Sequence, residues 1–260
     1  MKTLFTFFLL TLLMSTTLQA QKIKTQLVEY KDGQTTLEGY LAYDPALKGK
    51  RPAVLVVHEW TGINDYTKKR CDELAKMGYV AFAADIYGKG VRPASPEAAG
   101  AESGKYKSNL PLLRSRINAA LDHVQKMANV DTKKIAAIGY CFGGTTVLEL
   151  ARSGADVAGV VSFHGGLGTP NPSDAKNIMA KLLVAHGAID PYVPQTEVEG
   201  FFKEMNEAKV DYQFIAYSNA VHSFTNPASG NDNSKGAAYN ATADRRSWEA
   251  MKQFFAEIFK

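Results

Sequence analysis

The sequence predicts one α/β domain: a mainly parallel sheet with helices on both faces, opened by an N-terminal antiparallel hairpin. Three observations predict it. Apolar runs of strand length alternate with runs of helix length from Ala53 onward, the order that builds a parallel sheet through crossover helices. Ala53-Val54-Leu55-Val56-Val57 is apolar at every position, as a strand covered on both faces must be. Gly139-Tyr140-Cys141-Phe142-Gly143 lies between a strand-like and a helix-like run. Its glycines permit a sharp turn between the two.

The elements follow in order. Residues 1–20 carry Lys2, an apolar core from Leu4 to Met14, a polar stretch and Ala20 as a small residue at the cut, the pattern of a secretory signal peptide. The apolar run is too short for a membrane span, an uncleaved anchor being the alternative, and Gln21 rather than Cys follows the cut. The mature chain, from residue 21, is thus expected outside the cytoplasm, periplasmic or secreted, without stable membrane insertion. Lys24–Tyr30 and Thr35–Tyr43 alternate around Lys31-Asp32-Gly33, a hairpin signal. Ala53–Val57 is a strand. Asp65–Met77 is a helix stopped by Gly78, and Tyr79–Ala84 a strand. Tyr87–Ser108, with Gly and Pro and little periodicity, reads as a long loop. Leu110–Met127 is a helix, Ile135–Ile138 a strand, and Thr145–Arg152 the body of the next helix. Val157–Phe163 and Lys181–His186 are strands, Gln195–Ala208 a helix, Tyr212–Tyr217 the last strand, and Ala241–Phe259 an amphipathic closing helix. No repeat, low-complexity segment or second-domain linker interrupts them.

The 260 residues, 45% hydrophobic and 22% charged, suit one large domain with a sizeable core. The net charge of +4 comes from scattered Lys and Arg, so no nucleic-acid footprint is present. Asn240-Ala241-Thr242 is a glycosylation sequon, meaningful only in a eukaryotic secretory route. Of the two cysteines, Cys71 reads as a small core residue on the sheet-facing side of its helix. A Cys71–Cys141 disulfide, which an oxidising compartment would allow, would consume the thiol chemistry described next.

Gly-x-Cys-x-Gly is the cysteine form of the strand-to-helix turn that presents a nucleophile at the top of a sheet. The helix that starts there favours developing negative charge at its N-terminus. Ligands bind such sheets at the carboxyl ends of the strands, where His58-Glu59-Trp60, Asp85, Cys141, His164, Asp190 and His222 stand. A nucleophile needs a base, and the base an orienter. The chain order Cys141, Asp190, His222 is that of nucleophile, acid and histidine on this type of fold. The rival readings are a routine Asp-Pro turn for Asp190 and a surface loop histidine for His222. His58 and His186 end buried strands and read as structural histidines. His123 reads as a mid-helix surface residue, and His164 as a pocket candidate. An oxyanion hole needs convergent backbone N–H groups; Phe142 and Trp60 are the candidates.

Taken together, VLVVHEWTGIND, AADIYGKG, GYCFGG, HGAIDPYVP and VHSF resemble the dienelactone hydrolase family, a branch of the α/β-hydrolase fold. The resemblance covers essentially the whole mature chain and implies nucleophile Cys141, acid Asp190 and base His222. It also implies that Glu59 holds the resting thiol and helps to deprotonate it. Neither a metal nor an organic cofactor is implied. One departure bears on substrate: dienelactone-cleaving members grip the substrate carboxylate with arginines, one shortly after the catalytic histidine, where Asn226 stands here. Arg92, Arg114 and Arg116 lie in or beside the long loop, and Arg92 and Asn226 join His164 as pocket candidates. The expectation is an exported ester or lactone hydrolase with a small-molecule substrate. The alternatives are a thioesterase or acyltransferase with the same three residues, a catalytically silent binding protein on the same scaffold, and a redox role for the exported cysteine.

Overall fold

The computed structural model describes residues 22–260; the expected signal peptide, with its cut after Ala20, lies outside them. Strands β1 (Lys24–Asp32) and β2 (Thr35–Tyr43) form the hairpin around Gly33, at φ +56°. Then follow β3 (Arg51–Val57), α1 (Asp65–Lys76), β4 (Val80–Ala84), α2 (Pro96–Lys107), α3 (Leu110–Gln125), β5 (Val130–Tyr140), α4 (Phe142–Arg152), β6 (Gly159–Phe163), β7 (Lys181–Gly187), α5 (Gln195–Ala208), β8 (Tyr212–Tyr217) and α6 (Ala241–Ile258). The eight strands lie in the order β1-β2-β4-β3-β5-β6-β7-β8. β1/β2 and β2/β4 are antiparallel and the other pairs parallel.

Alternation along the strands divides the core. Ala53, Leu55 and Val57 of β3 pack with the apolar sides of α3, α4 and α5. Val54 and Val56 pack on the other face with Leu74 of α1 and Met251, Phe254 and Phe255 of α6. Cys71 belongs to that second layer, fully buried and free, as is the half-exposed Cys141. α1 stops as expected: Gly78, at φ +92°, and Tyr79 donate back to the carbonyls of Ala75 and Leu74, the hydrogen-bond pattern of a glycine-stopped helix end.

The segment expected as a loop from Tyr87 to Ser108 contains α2. Ser95 caps it by accepting from the Ala98 amide, and Pro96 occupies its first turn, both start signals. Its buried face is Ala99, Ser103 and Tyr106, small or polar residues that leave no apolar period. His123 is likewise not a free surface residue: its ring stacks on Tyr30 at 5.3 Å. Asn240, in the sequon, caps α6 through its side chain.

Among the described residues no helix is long and apolar enough to cross a membrane. A buried ion network ties α4 to its surroundings: Arg152, fully buried, pairs with Glu149 at 2.9 Å and Glu204 at 2.7 Å and donates to the Leu167 carbonyl. Arg114 pairs with Glu149 and Asp174, and Arg116 with Asp32.

Candidate active site

The site is built around the turn between β5 and α4. Cys141 has φ +54° and ψ −114°, a backbone conformation that costs a non-glycine residue on the order of 1–3 kcal/mol and persists only where its surroundings enforce it. The glycines around it allow the close packing that does so. A Cβ on Gly139 would sit 2.0 Å from the Gly143 carbonyl oxygen; one on Gly143, 2.3 Å from that of Val57; one on Gly144, 2.6 Å from Ser162 Oγ. The elbow is therefore pressed onto β3 and β6 at distances no side chain fits. Phe142 is the first residue of α4, so its N–H has no partner within the helix.

The loops past β7 and β8 bring Asp190 and His222 to the same place. His222 Nδ1 is 2.8 Å from Asp190 Oδ2, and the Cys141 thiol is within hydrogen-bonding reach of the imidazole. Burial pushes the His222 imidazole down, but the Asp190 bond and the Cys141 side chain outweigh it and raise the group to about 10. The Asp190 carboxylate also accepts from the Tyr192 amide at 2.9 Å, which fixes its orientation. A second cavity, of about 510 Å³ between the hairpin turn and α3, holds neither a cysteine nor an elbow.

A cavity of about 690 Å³ opens over Cys141, lined by Trp60, Phe142, Tyr192, His222 and Ser223 among others. Ser103 and Lys107 come from α2, within the Tyr87–Ser108 segment; Thr145, Gly166, Gly168 and Glu197, which sequence reasoning missed, complete the wall. The Glu197 carboxylate accepts from the Leu167 and Gly168 amides at 2.5 and 3.0 Å through one oxygen, Oε1, so it also anchors that loop. Trp60 is 39% exposed at the mouth, and its carbonyl accepts from Tyr87 OH at 2.8 Å.

Three expected pocket residues do not line the cavity. Asn226 is buried and donates from Nδ2 to Glu59 Oε2 at 2.6 Å. Arg92 is spent on the carbonyls of Val91 and Gly88 and lies 3.7 Å from the buried Asp85. His164 is fully buried behind the elbow, where its Nδ1 faces the Cys141 amide. All three are held by partners inside the protein, as buried polar groups are.

Glu59 is buried, and burial holds its carboxyl above the usual carboxylate range against the opposing pull of Asn226, His222, Ser223 and Arg70. Its hydrogen bonds go to Asn226 and Ser223. His58, expected to be structural, donates from Nδ1 to the Glu59 carbonyl at 2.6 Å and accepts at Nε2 from the Ile86 amide. Asp85, the other strand-end carboxylate, accepts from the amides of Glu38, Tyr87 and Gly88 and organises its own turn. His186 is buried with Nδ1 unpartnered. Among the described residues no group of three or more His, Cys, Asp and Glu side chains is arranged to hold a metal ion.

Comparison with known proteins gives a consistent neighbourhood. The sequence profile of the dienelactone hydrolase family matches residues 37–259. The solved structure called m3DLH is 40% identical, with a TM-score of 0.88 over 92% of this chain and 99% of its own. A dienelactone hydrolase-like promiscuous phosphotriesterase from metagenomic libraries is also 40% identical, with a TM-score of 0.86 over 91% of this chain and 98% of its own. A protein of Synechocystis sp., provisionally named a carboxymethylenebutenolidase, is 29% identical over 253 residues, 92% of this chain and 98% of its own length.

Proposed function

The chain belongs to the dienelactone hydrolase family, and from that membership we propose that it is an exported enzyme that opens its substrate with Cys141 through a thioester. That it hydrolyses esters or lactones follows from the family and its relatives. The observation that carries the finer reading is the 2.8 Å bond between Asp190 and His222 with the Cys141 thiol in reach of the same imidazole.

In this reading attack starts from a Cys141 thiolate beside the His222 imidazolium, which Asp190 stabilises and orients. The Cys141 sulfur attacks the substrate carbonyl; the C–S bond forms and the carbonyl electron pair moves to oxygen. The N–H groups of Phe142 and Trp60 receive that oxyanion. Collapse breaks the bond to the ester oxygen, which leaves with the proton of His222. Neutral His222 then takes a proton from water as the oxygen attacks the thioester, and collapse expels the Cys141 thiolate and frees the acid. Glu59 is the acceptor assigned to a thiol proton before attack. Its burial supports that role, because taking a proton relieves a desolvated charge.

Substrate preference departs from a dienelactone held by an arginine after the histidine. Asn226 is committed to Glu59, so the reading favours a simple ester or lactone. The name of the metagenomic neighbour supports including a neutral phosphotriester among the candidates. The test is turnover of p-nitrophenyl acetate and butyrate, a cis-dienelactone and a phosphotriester by the mature chain and by Cys141→Ala. Loss of turnover in the variant is expected; full activity there would sink the mechanism. Export rests on the pattern of residues 1–20, and sequencing the N-terminus of the protein from the exported fraction is expected to begin at Gln21.

A further inference from the structure

Behind the elbow, His164 joins two segments. It follows β6 with φ +42° and is fully buried. The Cys141 N–H lies 3.1 Å from its Nδ1 and 3.0 Å from the Phe163 carbonyl. An Nδ1 that accepts a hydrogen bond carries no proton, so the ring proton is on Nε2. Nε2 lies 2.7 Å from Thr225 Oγ1, to which it donates. Thr225 stands on the loop that carries His222. Its hydroxyl also accepts from Tyr66 OH at 2.7 Å, Arg70 donates to the Thr225 carbonyl at 3.1 Å, and Arg70 pairs with Asp244 at 2.5 Å. The His164 ring meets that of His222 edge to face at 5.3 Å.

We propose that His164 is a positioning residue: its imidazole clamps the strained Cys141 backbone to the Thr225 loop and thereby sets the spacing between the sulfur and His222. A histidine that only filled the core would need no more than packing and satisfied nitrogens. Here one nitrogen is bonded to each of the two segments whose separation governs proton transfer. Burial and the nearby His222 hold its imidazole well below the usual histidine range. It therefore stays neutral and does not compete with a charge on His222. The inference rests on the reading of Cys141 and His222 as nucleophile and base.

The test compares the mature chain with His164→Gln, Thr225→Val and Thr225→Ser. A glutamine amide reaches toward Thr225 but vacates the Nδ1 position. Valine keeps the shape of Thr225 without its hydroxyl, and serine restores the hydroxyl. Misplacement of a reacting group by about an ångström costs on the order of a hundredfold. His164→Gln and Thr225→Val are therefore expected to lower kcat by about tenfold to a hundredfold with KM within about threefold. Alkylation of Cys141 by iodoacetamide is expected to slow in parallel, the buried Cys71 being inert. Thr225→Ser is expected to recover both. Wild-type kcat and alkylation in His164→Gln or Thr225→Val, or a lowered Tm with neither changed, would overturn the proposal. If His164→Gln does not fold, the Thr225 pair decides alone. Full activity in Cys141→Ala would instead remove the underlying mechanism, an outcome distinct from any result at His164 or Thr225.

Discussion

Adding one methyl group at Gly139 tests whether the elbow's shape is a packing solution. In Gly139→Ala the new Cβ falls 2.0 Å from the Gly143 oxygen, 2.2 Å from its carbonyl carbon and 2.8 Å from the Gly144 nitrogen, whereas ordinary contacts begin at 3.4 Å. All three obstacles are backbone of the first turn of α4, and Gly143 is itself pressed onto β3. The turn therefore has to slide along the sheet by more than an ångström, carrying the Cys141 sulfur and the Phe142 amide with it. Overpacking of this kind costs about 1–3 kcal/mol. For a chain of this size that is a fall in Tm of about 2–12 °C. The displaced nucleophile is expected to cost about a hundredfold in kcat toward p-nitrophenyl butyrate. Gly104→Ala in α2, where a Cβ meets nothing within 4 Å, is the control, expected to leave kcat unchanged and Tm level or raised by a few degrees. A Gly139→Ala enzyme with kcat and Tm like those of the control would refute the reasoning.

Three further outcomes are expected. Because the His222 imidazole is raised to about 10 from its ordinary 6.5 or so, the stability it contributes is fully present below about pH 6.5 and is lost as pH rises through about 10. Asp190→Asn is expected to flatten the decline of Tm across that window and to lower kcat by about 10³–10⁴-fold; an unflattened decline would show that the pair is not its source. Glu59→Gln keeps an acceptor for Asn226 and removes a buried charge, so Tm is expected to hold or rise while kcat falls about a hundredfold. Unchanged turnover would leave Glu59 a structural partner of Asn226. Arg152→Met strands Glu204 in the interior and leaves Glu149 with Arg114 alone, a loss of about 3–5 kcal/mol and of about 6–20 °C in Tm. A Tm within two or so degrees of wild type by calorimetry would contradict it.

Elements whose residues repeat the period of their own geometry were legible. α5 and β8 span the residues expected of them, and β3 extends its apolar run by Arg51 and Pro52. α2 was not legible, because Ala99, Ser103 and Tyr106 form a buried face without a hydrophobic contrast. β5 begins at Val130, five residues before its apolar run: Val130 is buried and pairs with Arg51 of β3, while polar Asp131 to Lys134 separate it from that run.

The site divides along the same line. That Cys141, Asp190, His222, Trp60 and Phe142 stand just past strand ends was legible because a strand followed by a sharp loop announces itself locally, and the ends of parallel strands converge. Asn226, Arg92 and His164 were misjudged as pocket residues because the partners that occupy them, Glu59, the Gly88 and Val91 carbonyls, and Cys141 with Thr225, are remote in sequence or belong to the backbone. Periodicity and turn chemistry act over a few residues, so the sequence alone determined the layers, the elbow and the strand ends where chemistry gathers. Which polar group faces a neighbour and which faces the cavity is a competition among segments up to 167 residues apart, as Glu59 and Asn226 are, and only the tertiary structure decided it.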